Sequence, residues 1–209
     1  MSAGLSSWNY SLAKRAFDFV VSAALTILTL PLWCMAAVSI KLTSPGPVFF
    51  RQQRVGKDGL EFRLLKFRTM TYAPEQQGPG ITRKGDQRVT STGRILRRTK
   101  LDELPQLINV LRGEMSIVGP RPDLQQYMQT LSPELRPVLT LRPGLTGCAS
   151  LEFRNEEEVL GKVPEHDLLR FYTEELLPRK VTLDLNYARN AGFVSDIMMV
   201  FRTAAAVLS

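Results

Sequence analysis

The sequence predicts an α/β fold of the α+β kind, mainly helical, behind an apolar N-terminal segment suited to a membrane. Three observations predict it. The chain has 209 residues, 44% of them hydrophobic, enough for one ordinary core and too many for a disordered or repeat protein. One run, Phe19 to Ile40, holds 22 residues without a charge. After it come two strand-like runs joined by a tight turn, then runs with apolar residues at helical spacing. Cys34 and Cys148 are the only cysteines, so a disulfide framework and structural zinc are excluded and a reducing compartment is expected.

The apolar run would be about 33 Å long as a helix, enough to cross a bilayer. Pro31 near its midpoint lacks a backbone donor and opposes a straight helix, so a kink or break is expected there. Both flanks are basic, with Lys14 and Arg15 before and Lys41, Arg51, Arg54 and Lys57 after, so the positive-inside rule names no outer end. The remaining chain reads as a soluble domain. A single span and a re-entrant hairpin broken at Pro31, with Thr26 or Thr29 bonding the freed backbone, both satisfy the physics. The expected division is a membrane segment over 1–43 and a domain over 44–209. A cleaved signal peptide fits poorly, because the run is long and lies well inside the chain.

Ser44-Pro45-Gly46-Pro47 breaks the chain, and residues 48–55 and 60–68 then read as the strands of a hairpin turning at Gly56 to Gly59. Residues 74–90 are polar and rich in Gly and Pro, the composition of a mobile loop beside a site. Residues 92–100 are helical in character. Leu104, Leu107, Ile108 and Leu111 then mark an amphipathic helix, with Pro105 in its first turn, a start near Asp102 and a stop at Gly113. Gly119-Pro120-Arg121-Pro122 and the run from Arg142 to Gly147 read as rigid turns, each carrying one arginine. Between them residues 124–141 are expected to be helical, interrupted by Pro133 and Pro137, with further helices over 167–177 and 195–208. The last is too short to span and is expected to pack on the domain or lie at a membrane interface.

The formal charge is +7, and it is concentrated: residues 41–112 hold 15 Lys and Arg against 6 Asp and Glu. Cations among Gly and Pro turns suit an anionic, phosphate-bearing partner. The sharpest chemical feature is Asp102-Glu103 at a helix start, where the helix dipole and neighbouring arginines are expected to favour both ionised forms. Elsewhere such a pair is commonly just a cap and a first-turn acid. Here Arg97, Arg98 and Lys100 precede it and Arg112 and Arg121 follow, and carboxylates among cations can hold a divalent metal and a phosphate together.

Six ordered blocks carry a resemblance. They are Lys14-Arg15-x-Phe17-Asp18; Pro45 to Gly56, with Phe49-Phe50-Arg51-Gln52; Lys66-Phe67-Arg68-Thr69-Met70; Leu101-Asp102-Glu103-Leu104-Pro105-Gln106-Leu107-x-Asn109-Val110-Leu111; Met115 to Pro122; and Arg142-Pro143-Gly144-Leu145-Thr146-Gly147. Over residues 12–208 the chain resembles the bacterial sugar transferases, the monotopic phosphoglycosyl transferases, in what looks like their minimal catalytic form. The resemblance implies transfer of a sugar-1-phosphate from a UDP-sugar to a polyprenyl (undecaprenyl) phosphate with release of UMP, as the first membrane step of glycoconjugate or exopolysaccharide assembly. It implies Mg²⁺ as cofactor and a small catalytic domain on the cytoplasmic face of the bacterial inner membrane. It also selects the N-terminal re-entrant membrane helix hairpin, with interfacial amphipathic helices, over a single span.

By position in these blocks, Asp102 corresponds to the nucleophile, forming a covalent phosphosugar-aspartate, and Glu103 to a group handling metal or proton. Asp102 and Glu103 are the expected Mg²⁺ ligands. Arg97 and Arg121 are the main phosphate-binding candidates, with Lys66, Arg142 and Arg154 beside them. Departures from the family pattern are Leu30-Pro31 where members often have Ser-Pro, Glu114 for Asp, and Phe153 for the small residue of the turn holding Arg154. His166, the only histidine, is expected at the surface, which leaves no His-based triad. Sugar selectivity is expected in residues 72–90 and 148–170. The expected partners are the donor, the acceptor lipid and membrane lipid; self-association as a homo-oligomer is left open. The alternative class is a non-catalytic membrane-tethered polyanion-binding protein, but no nucleic-acid motif is present and aromatic interleaving is poor.

Overall fold

The computed structural model describes residues 4–71, 81–83 and 85–208. Of the loop expected over 74–90, residues 74–80 and 84 lie outside the described residues. The rest of the chain is mixed and mainly helical, with two separate two-stranded sheets.

After a 3₁₀ turn at Ser7–Tyr10, helix α1 runs from Leu12 to Thr43, capped by the Ser11 side chain on the Lys14 amide. Its buried positions, Lys14, Asp18, Ser22, Trp33, Ala36 and Ile40, recur at helical spacing and form one stripe on both sides of Pro31. Leu12, Phe19, Val20, Ile27, Leu28, Leu30, Met35, Val38 and Leu42 face outward. This is amphipathicity reversed. The polar residues of the first half bind protein, while the outer face is long and apolar enough to meet lipid.

The expected break at Pro31 does not interrupt α1, which remains one helix with no turn between its halves. Pro31 removes one backbone donor, and the packed stripe carries the helix across it. Thr26 and Thr29 do not serve the carbonyl freed by Pro31. Their hydroxyls bond the carbonyls of Ser22 and Leu25, one turn earlier, and the Trp33 indole donates to Thr29 Oγ1.

The hairpin forms as read. Strands β1 (Phe49–Val55) and β2 (Glu61–Phe67) pair antiparallel, Phe49 opposite Phe67 and Val55 opposite Glu61, around a turn at Lys57–Gly59. Helix α2 (Ser91–Arg98) is capped by Thr90 and followed by Lys100 in the left-handed region. The predicted helix start near Asp102 resolves into a 3₁₀ turn at Leu101–Glu103, with α3 proper at Gln106–Arg112 ending on Gly113 at φ 85°. Pro105, lacking an amide hydrogen, ends the tight turn where a helix can begin.

Of the two Gly and Pro segments read as turns, the second contains β4 (Gly144–Thr146), which pairs parallel with β3 (Ser116–Val118), the strand just before the first. They approach so closely that a Cβ on Gly119 would lie 2.4 Å from the Arg142 carbonyl oxygen. Gly119→Ala should therefore cost about 1 to 3 kcal/mol, a fall in Tm of roughly 3 to 10 °C in a thermal melt.

Residues 124–141 are mostly not helical. They give only α4 (Gln125–Met128) and a 3₁₀ turn at Arg136–Thr140, because the prolines leave no stretch long enough for a sustained helix. Short helices α5 (Cys148–Glu152), α6 (Glu156–Gly161) and α7 (Leu168–Phe171) follow. A π segment at Tyr172–Leu176 then leads into α8 (Leu177–Arg189). The helix expected over 167–177 thus continues to Arg189, because Pro178 lies in the first turn of α8, where a missing donor is tolerated. Helix α9 (Phe193–Leu208) repeats the reversal of α1: Asp196 and Met199 are buried, while Phe193, Val194, Met198 and Phe201 are exposed.

Three apolar clusters hold these parts. One joins Phe62 and Leu64 of β2, Leu107 and Val110 of α3 and Met199 of α9, with Phe17 and Val21 of α1 against it. A second packs Trp33, Ala36 and Ile40 of α1 on Phe67 and Leu96. The largest gathers Tyr127, Val138, Leu160, Tyr172 and the inner face of α8. Both ends of α1 thus rest on the same domain.

Candidate active site

The tight turn at Leu101–Glu103 follows a residue at φ 56°, Lys100, a conformation that costs a non-glycine residue energy and is found where a site imposes it. The turn buries Asp102 to 6% exposure and aims Glu103 at two cations. Lys66, near the end of β2, donates to Glu103 Oε1 at 2.8 Å. Arg121, in the turn after β3, donates through Nη2 to Oε1 at 2.6 Å and through Nη1 to Oε2 at 3.3 Å. This is a two-pronged, charge-assisted pairing.

The two carboxylates part company electrostatically. Burial pushes the Glu103 carboxyl up, but the charges of Arg121 and Lys66 and their hydrogen bonds overcome it and hold it well below the usual range. For Asp102, burial dominates. The opposing Lys66, Arg97 and Lys100 charges do not offset it, Glu103 adds to it, and the carboxyl is pushed up to about 6. The expectation that the dipole and arginines favour both ionised forms therefore fails for Asp102, which is desolvated in a 3₁₀ turn and sits beside a committed anion. Among the described residues its Oδ1 is buried without a hydrogen-bond partner.

Around this pair lies a second ring. Arg97 at the end of α2 donates to Thr82 Oγ1 at 3.1 Å and meets Glu157 at 3.2 Å, leaving its Nη1 buried and unpaired. Lys180 of α8 pairs with Glu156 at 2.8 Å and lies over the Tyr172 ring. The Tyr172 hydroxyl donates to Asp123 Oδ2, whose other oxygen accepts from Arg54 at 2.8 Å. Asp184 accepts the Ala149 amide at 2.9 Å and the backbone amide of Arg121, so it fixes the turn that presents Arg121.

A bacterial sugar transferase family model matches residues 9–209. The chain belongs to that family. The transferase is 41% identical over 204 residues to the UDP-glucose:undecaprenyl-phosphate glucose-1-phosphate transferase of Caulobacter vibrioides, covering 95% of this chain and 70% of that protein. It is 40% identical to the protein of that name from Escherichia coli K12, covering 92% of this chain and 39% of the relative. It is 36% identical to the UDP-N-acetylgalactosamine-undecaprenyl-phosphate N-acetylgalactosaminephosphotransferase of Aeromonas hydrophila, covering 96% and 44% respectively. The transferase thus spans less than half the length of the last two.

Of the residues singled out by sequence, the transferase gathers Asp102, Glu103, Lys66, Arg97 and Arg121 into one cluster. Arg142 is elsewhere: its Nε donates to the Gly113 carbonyl at 2.9 Å, tying the end of α3. Arg154 is exposed in the turn before α6 and makes no side-chain hydrogen bond or ion pair among the described residues. Sequence reasoning missed Glu156, Glu157, Lys180, Asp184 and Asp123. The run of three acids opening α6 was the available signal for the first two, whereas the partners of the others depend on packing.

A resident Mg²⁺ can be tested against these side chains. No group of three His, Cys, Asp or Glu residues gathers among the described residues. Mg²⁺ commonly uses one or two carboxylates and completes its shell with water and substrate oxygens. The unpaired Asp102 Oδ1 and the adjacent Glu103 are hard oxygen donors of that kind, so the residues fit the ion as a minimal set.

Proposed function

We propose that this transferase moves a sugar-1-phosphate from a UDP-sugar to undecaprenyl phosphate and releases UMP, by way of a covalent adduct on Asp102. The observation that carries the reading is Asp102 Oδ1, a buried carboxylate oxygen left unpaired beside Lys66, Arg97 and Arg121. An anion without a hydrogen-bond partner in a cationic pocket is an exposed nucleophile, and the desolvation that lifts its pKa also raises its reactivity once ionised.

In the first half-reaction Asp102 Oδ1 bonds to the β-phosphorus. The bond to the bridging oxygen breaks, and UMP departs with that oxygen and its electron pair. In the second, a phosphate oxygen of the lipid attacks the same phosphorus and Asp102 is restored. Two anionic substrates thus never need to share the site. Lys66 and Arg121, set by Glu103 and Asp184, neutralise charge on the transferring group, and Arg97 exchanges Glu157 for a phosphate oxygen. Mg²⁺, held by Glu103 and Asp102, would neutralise the donor diphosphate.

The apolar outer faces of α1 and α9 support membrane association, and contact of both ends of α1 with one domain supports placing those ends on the same side, the cytoplasmic face of the inner membrane. On this reading α1 lies along one leaflet, its apolar outer face in lipid, and does not span. The relatives' names support UDP-glucose or UDP-N-acetylgalactosamine as first donors to try.

The test uses the whole chain in detergent with undecaprenyl phosphate and Mg²⁺. UMP should appear with one of these donors, and donor alone should leave a sugar-phosphate mass on the peptide containing Asp102. Product formed from donor and acceptor with no such adduct at any time would exclude the covalent route.

A further inference from the structure

Helix α3 begins with a glutamine that no step so far uses. Gln106 is 2% exposed, and its Nε2 is buried with no hydrogen-bond partner among the described residues. The same helix shows what a structural buried amide looks like. Asn109, at 0% exposure, accepts the Leu65 amide through Oδ1 at 3.0 Å and donates through Nδ2 to the Arg63 carbonyl and to Glu114, at 2.8 and 2.6 Å. Buried polar groups are paired as a rule, so an exception needs a reason.

Position supplies one. Leu104 and Pro105 have helical backbone angles, so Gln106 lies one turn beyond Glu103 and Asp102, at the i+3 and i+4 spacings that share a helix face. Three unpaired buried atoms therefore fall within ten residues of chain: the donors Arg97 Nη1 and Gln106 Nε2, and the acceptor Asp102 Oδ1. They do not pair with one another. A group bringing both an electrophile for the carboxylate and acceptors for the donors would satisfy all three, and a phosphoryl centre with non-bridging oxygens has that chemistry.

We propose that the Gln106 side-chain amide donates to a non-bridging oxygen of the phosphoryl group as that group passes to and from Asp102. This rests on the reading of Asp102 as nucleophile. The amide gives up no proton. The bonds made and broken are those at phosphorus already described, and the hydrogen bond strengthens as charge builds on the equatorial oxygens.

Gln106→Met keeps length and volume and deletes the donor, and Gln106→Glu puts an anion where the oxygen would sit. UMP release is measured with UDP-glucose and with UDP-N-acetylgalactosamine, alongside thermal melts and Asp102→Asn as control. The expected result is a Tm for Gln106→Met equal to or above wild type, kcat lower by about 10- to 100-fold, donor KM changed little, and Gln106→Glu slower still. A kcat for Gln106→Met within about twofold of wild type would overturn the proposal. A lowered Tm that accounts for the lost activity would also overturn it, by making the amide structural. Activity lost in Asp102→Asn but kept in Gln106→Met removes the role of the amide alone. Activity kept in both removes the nucleophile as well.

Discussion

Asp102→Asn is expected to abolish turnover and, at the same time, to raise the melting temperature. Turnover should fall on the order of 10⁴-fold or more, because on the proposed covalent route Asp102 is the nucleophile and a neutral amide cannot form the adduct. The stability gain follows from linkage. An acid whose folded pKa is raised, here from 3.8 to about 6, binds protons more tightly when folded. Its charge therefore costs the fold nothing below about 4, costs progressively more as pH rises from about 4 to about 6, and costs the full amount above that. Two pKa units correspond to about 3 kcal/mol. Asn removes the charge but leaves a buried polar group, so a gain of about 1 to 3 kcal/mol is expected near pH 7.5, read as several degrees in a melt. On the proposed route only the ionised form attacks phosphorus, so the same titration should govern activity: the wild-type rate is expected to climb through pH about 6 and level off above it. A lowered Tm in Asp102→Asn, or a rate indifferent to pH between 5 and 7, would contradict the electrostatics assigned to this residue.

Glu103→Gln should do the opposite to stability. Among the described residues Glu103 is the only anion bonded by both Lys66 and Arg121, and its side chain is 13% exposed. Neutralising it leaves two partly buried cations facing an amide, and removing one partner from a buried ionic cluster costs about 3 to 5 kcal/mol. A fall in Tm of roughly 10 °C is expected at neutral pH. The sign with pH is fixed by the depressed folded pKa of Glu103. The stabilisation it gives is fully present above its unfolded pKa of about 4.5 and is lost as pH falls through the lower folded value. The gap between wild type and Glu103→Gln should therefore be widest above about pH 5 and narrow in acid. Turnover should drop too, because Lys66 and Arg121 lose the anchor that aims them.

These two variants separate roles that adjacency in the chain disguises. Asp102 and Glu103 occupy one tight turn, yet one carboxylate is committed to holding cations in place and the other is left unpaired. Environments that drive neighbouring acids apart in pKa are the ordinary means by which a site assigns different tasks to like groups. Here the divider is the pair Lys66 and Arg121, both bonded among the described residues to Glu103 and not to Asp102. The outer ring extends the arrangement: Glu157 pairs with Arg97, so on the proposed reading the donor diphosphate meets a cation that is already positioned.

Much of this was legible in the sequence for reasons that are local. The hairpin around Gly56 to Gly59, the stop of α3 at Gly113 and the uncharged run of α1 depend on backbone preference and composition, which neighbouring residues set by themselves. The acidic pair and the arginines around it were legible as a motif. Other features were not, because they are decided between distant segments. The continuity of α1 through Pro31 depends on a stripe packed on the domain. The parallel pairing of β3 with β4 joins segments too far apart for periodicity to reveal. Helix α8 was hidden by Pro178, whose harmlessness depends on where the helix begins.

The sequence by itself determined the family, the long uncharged apolar run and the acidic pair with its surrounding cations, since those follow from residue types in fixed order. Only the tertiary structure decided which arginines serve the carboxylates, bringing Arg121 and Arg97 to the site while tying Arg142 to the end of α3. It also decided that both acids are desolvated but that only Asp102 is left with an unpaired oxygen, while Glu103 is held by Lys66 and Arg121. The physical reason is that burial and partner distance control a carboxylate's proton affinity, and both are properties of segments brought together by folding.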